Sequence, residues 1–150
     1  MKIARANDQF VFQLGRREKQ VLLELLKRYP CIPPAHQRLH SSTQLPDASQ
    51  RLLDEALAQQ RAANKKQVQN WISDSRRFEQ TETGCRVILS ASEVEWLLQV
   101  LNDVRVGSWI LLGAPDEKLE DALLNERTAP DFLAMEMAGH FQMQMLEALK

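Results

Sequence analysis

The sequence is poor in the residues that usually announce a chemistry. Two cysteines, Cys31 and Cys85, stand among 150 residues. They make no disulfide framework, and reduced thiols in a cytoplasmic protein are expected. The five glycines are scattered, and neither GxGxxG nor GxxxxGK[ST] occurs, so no phosphate-cradling loop is in view. GxSxG and HExxH are missing too, which removes the common signatures of acyl transfer and zinc hydrolysis. No apolar run approaches the ~20 residues that span a bilayer. The opening MKIARANDQF lacks the apolar stretch of a secretory signal.

What remains is an ordinary globular composition, 44% hydrophobic and 26% charged. It suits one domain over residues 1–150 with a real core. Charge is uneven: residues 1–80 hold 14 Lys/Arg against 8 Asp/Glu, and residues 81–150 hold 5 against 12. Such a split suits two halves that attract each other within the fold or across a homo-oligomer. It also leaves room for an anionic partner.

Periodicity points to a mainly α protein, α+β by a small margin. FVFQL (Phe10–Leu14) and CRVILS (Cys85–Ser90) read as strands. Two short strands are unstable alone, so a two-stranded antiparallel pair under a helical bundle is expected. Helix signals follow each strand. Val21, Leu22, Leu25 and Leu26 mark the first helix, which ends at the prolines of YPCIPP. A loop over 30–46 comes next. Asp47 with Gln50 resembles a capping box, and no Gly or Pro interrupts 47–78, which reads as one long helix or two. Ser90 with Glu93 caps a third helix running to Gly113. A short helix over about 116–126 and a last helix from Thr128 complete the chain. FQLGRREKQVLLELL and VILSASEVEWLLQVL align at a constant offset of 75 residues, as two strand–helix–helix halves would.

Candidate chemistry is sparse. Cys31, His36 and His40 form C-x4-H-x3-H, a weak zinc pattern that more often means a packed thiol and two surface imidazoles. No cofactor is implied. The basic stretch Arg61, Lys65, Lys66, Arg76 and Arg77, with Trp71 among them, is the best nucleic-acid candidate, though Asp74 and Glu79 interrupt it. Met135, Met137, Met143 and Met145 crowd the last helix, as core or as an adaptable partner surface. The third helix carries LNDVRVGSWILLG, Leu101–Gly113. Here Asn102, Arg105 and Trp109 flank the core stripe, while Asp103 points outward. A half-buried Arg105 needs an acid, with Glu136 or Asp131 at hand. The set is therefore expected to be a polar clamp, or else a small-ligand or anion site.

WLLQVLNDVRVGSWILLGAPDE, Trp96–Glu117, resembles the hallmark of a domain-of-unknown-function family of small, mainly helical bacterial proteins: Leu-Asn-Asp-hydrophobic-Arg, then Leu-Gly and an acidic segment. FVFQLGRREKQVLLELL and DASQRLLDE resemble its opening strand and helix and the start of its middle helix. The sequence departs where Gly107–Ser108–Trp109 stand in place of an early Leu-Gly, and in its 30–46 loop. The resemblance implies no activity. It leans towards a non-enzymatic regulatory or protein-interaction module.

Overall fold

A computed structural model describes residues 1–34, 45–116 and 124–150. Alternation decides the sheet. In β2 (Gln9–Gly15), Phe10, Phe12 and Leu14 point inward, and in β4 (Gly84–Ser90), Cys85, Val87 and Leu89 do the same. The two strands pair antiparallel, with Phe10 opposite Leu89, Phe12 opposite Val87 and Leu14 opposite Cys85. Every apolar side chain of one strand thus meets one of the other on the covered face. Val11 meets Ile88 on the outer face, where Ile88 stays exposed.

The expected pair of strands is the centre of a larger sheet. β1 (Lys2–Ala6) lies on β2 and β3 (Glu79–Gln80) lies on β4, giving the order β1-β2-β4-β3, all antiparallel. Both additions are edge strands. An edge strand buries little, so β1 (KIARA) shows no alternation beyond a half-buried Ile3, and β3 is two residues long. Asn7, in the left-handed region at φ 57°, turns the chain from β1 into β2.

Among the described residues there are four α-helices: α1 (Arg16–Arg28), α2 (Asp47–Ser73), α3 (Ala91–Leu111) and α4 (Ala129–Ala148). α1, α3 and α4 cover one face of the sheet. Their core residues include Leu22, Leu26, Leu97, Leu101, Val104, Ala138, Phe141 and Met145. Both strand-to-helix junctions are built alike. Gly15 N–H donates to Glu18 Oε2 at 2.7 Å, and Ser90 N–H to Glu93 Oε2 at 2.9 Å. Ser90 Oγ also accepts from Glu93 N–H at 3.2 Å, completing the expected box. β2 and β4 begin 75 residues apart, as do α1 and α3.

α2 decides one open choice and corrects two expectations. It is one continuous helix; it ends at Ser73 rather than at about Phe78; and Asp47 is its first residue rather than its cap. Pro46 precedes it and offers only its carbonyl, which accepts from Gln50 N–H at 2.9 Å. Asp74 stops the helix by capping a 3₁₀ turn, Ser75–Arg77, accepting from Arg76 N–H at 3.1 Å. This turn carries Phe78 into the core. Gly113, at φ 89°, ends α3 where the sequence placed a stop. The short helix expected over 116–126 lies largely outside the described residues.

Candidate functional site: the groove between α3 and α4

The polar residues of LNDVRVGSWILLG are divided between two sides of α3. Asp103 is the clamp, contrary to the outward position expected for it. Its carboxylate, 12% exposed, accepts Cys31 N–H at 2.6 Å and Ile32 N–H at 3.3 Å through Oδ1. Oδ2 lies 4.0 Å from the Arg61 guanidinium of α2, which also donates to the Ile32 carbonyl. Burial pushes the Asp103 carboxyl above its usual range, while the two amides and Arg61 pull the other way. Asn64 Nδ2 donates to Tyr29 Oη at 3.3 Å beside them. A small cavity of about 180 Å³ sits among these groups, with Asn102 on its rim.

Gly107 explains why the 31–32 segment can reach Asp103 at all. A Cβ there would stand 2.2 Å from Cys31 Cβ and 2.8 Å from Ile32 N. Only a residue without a side chain lets α3 touch that segment. The segment it touches is the irregular chain after α1.

Arg105 is exposed, and no acid meets it among the described residues. Its Nη2 donates to Asn102 Oδ1 at 3.1 Å, one turn back on the same helix. Asp131 pairs instead with Arg28 at 3.0 Å, tying α1 to the start of α4. Glu136 is exposed as well. Arg105 is therefore no clamp. Its stem, at the edge of the helix interface, crosses Gly139 of α4: Cδ is 3.4 Å from where a Cβ would stand.

Arg105, Trp109 and Glu136 do share a site. They line an open groove of about 880 Å³ between α3 and α4, with Met135, His140 and Met143. Trp109 donates from Nε1 to the Pro115 carbonyl at 2.9 Å and packs with Leu112, Phe132 and Met135. The floor is thus apolar and the walls carry both signs of charge. Gly139, His140 and Met143 were not singled out for this site in the sequence. The one signal was the crowding of methionines, and Met143 is the most exposed of the four.

The other candidates are placed elsewhere. Trp71 is 2% exposed and stacks on Trp96 at 4.9 Å, so it offers no face to a base. Arg77 lies 4.5 Å over Trp71 and pairs with Glu93 at 2.8 Å. With Arg61 turned inward, the basic stretch 61–77 is not one continuous surface. Cys31 Sγ donates to the Arg28 carbonyl at 3.0 Å, and burial pushes its thiol up to about 11. His36 and His40 lie outside the described residues. Among the described residues no group of three or more His, Cys, Asp or Glu is placed to hold a metal ion. No helix there is long and apolar enough to cross a membrane.

Comparison with known proteins leaves the site to its own geometry. No family model, no curated protein and no solved structure matches the chain.

Proposed function

We propose that the chain is a non-enzymatic protein-interaction module that presents the α3–α4 groove to a helical segment of a partner, and regulates by binding. The observation that carries this is the groove itself. Its apolar floor of Trp109, Met135 and Met143 lies between charged walls, in the manner of a surface that takes an amphipathic helix. Exposed apolar residues continue beyond it along α4, with Leu133 at 61% and Leu146 at 53%. The family resemblance of Leu101–Gly113 leans the same way. An anion site at Arg105 draws less support, because Glu136 and Asp116 line the same groove around that single guanidinium. Nucleic-acid binding through 61–77 is weakened by the inward Arg61 and the sealed Trp71.

Trp109 supplies the test. It is the tryptophan of the groove, whereas Trp71 and Trp96 are core residues. Titration with a synthetic amphipathic helical peptide of leucine, glutamine and lysine should change Trp109 emission saturably. The Met143→Asp variant should lose the response. A flat titration of the wild-type chain counts against the groove as a protein-binding site.

A further inference from the structure

Large apolar side chains on the outer face of a helix mark a surface that another protein can cover. α4 buries Ala134, Ala138, Phe141 and Met145 against the core, yet leaves Leu133, Met143 and Leu146 in water.

We infer that the occupant is a second copy of this chain, its α4 crossing ours antiparallel near Gly139, with Arg105 of each copy ion-paired to Glu136 of the other. This rests on reading the groove as a protein-binding site and specifies what binds there. A two-fold contact must be self-complementary: whatever one copy offers, the other must accept. The groove meets that requirement in charge. It holds the cation Arg105 and the acid Glu136, and neither makes an ion pair within the chain among the described residues. Rotation about a two-fold axis brings each cation to the other copy's acid, forming the pair twice.

The groove meets the requirement in shape as well. α4 runs Ala129–Ala148, so Gly139 stands at its middle. There the helix has no side chain of its own, and the flexible Arg105 stem alone lies over it. Two antiparallel helices approach most closely where they cross, and a residue without a Cβ permits a close crossing. Met143, one turn after Gly139, lies on the same side of α4 and is exposed, so the crossing takes Met143 of both copies out of water.

Sedimentation equilibrium on the full chain, from low micromolar to hundreds of micromolar, tests this. The wild-type chain should dimerise. Arg105→Glu and Glu136→Arg each place like charges together twice and should weaken the dimer by about 100-fold. Both positions are exposed, so unchanged circular dichroism and melting should accompany the loss. An equimolar mixture of the two variants restores both pairs between unlike copies, and its dimerisation should return towards wild type. No loss of folding would produce that recovery. A wild-type chain that stays monomeric overturns the second copy; saturable peptide binding at Trp109 would then leave the groove reading standing, and a flat titration would remove both. A dimer indifferent to both reversals, or a mixture that fails to recover, overturns this interface.

Discussion

Asp103 and Arg105 stand two residues apart on one helix and do opposite things. The direction in which each side chain leaves α3 decides which of them bears on stability. Asp103 faces the 31–32 segment and satisfies two backbone amides and part of a guanidinium. Asp103→Ala would leave those donors short of an acceptor, at a cost of about 2–4 kcal/mol. Arg105 meets only Asn102 in the open, so Arg105→Ala should change stability by less than about 0.5 kcal/mol. Urea denaturation of both variants checks the contrast, and equal losses would show that the clamp is wrongly placed. The pH dependence follows the same residue. A carboxyl raised on folding favours the folded state when protonated. That contribution is complete below the ordinary aspartate value of 3.8 and is lost as pH rises through the raised one. Asp103→Asn, which stays neutral, should show a flatter stability profile just above that value.

Helix starts and stops were legible where local chemistry sets them, and not where neighbours do. Ser90 with Glu93, and Gly113 at the end of α3, are decided within a few residues, and the structure has them as read. The end of α2 was misread by five residues, because the 3₁₀ turn after Ser73 exists to bring Phe78 into the core. Edge strands were missed for a similar reason. β1 has its hydrogen bonds from β2 rather than from any pattern of its own. Gly107 shows how one element depends on a small contact. Gly107→Ala would drive a methyl into Cys31 and Ile32, part of whose contact is backbone and yields little. Such overpacking should cost about 1–3 kcal/mol, or more if the segment leaves Asp103. Thermal unfolding measures this; a wild-type melting temperature would mean that the segment relaxes freely away from α3.

The protein as a whole is packed unevenly. α1, α3 and α4 close over the sheet, whereas no residue of the first half of α2, over 47–60, is fully buried. Leu52 there is 69% exposed. A helix held by few buried contacts opens locally, well below the cost of global unfolding. Hydrogen exchange should therefore run fast over about 50–60 and slowest in the middle of α3. Equal protection in both would show that this half of α2 is held as firmly as the core. α4 differs: its uncovered side exposes Leu133, Met143 and Leu146 beside Glu136, His140 and Glu147, and the groove lies there.

Residue order alone established the mainly helical character, the two central strands, the Ser90 box and the stop at Gly113. Each depends on period or on hydrogen bonds within a few positions, and such interactions can be read along a line. It also brought Arg105, Trp109 and Glu136 forward as a set, because helical spacing puts the first two on one stripe and the acid-rich last helix offered the third. It erred in sending Asp103 outward and giving Arg105 an acid. Which acid meets which base depends on what faces α3 across space, and that is the chain after α1, more than 70 residues away in sequence. Packing of that segment against Gly107 makes Asp103 the clamp and leaves Arg105 free to line a groove.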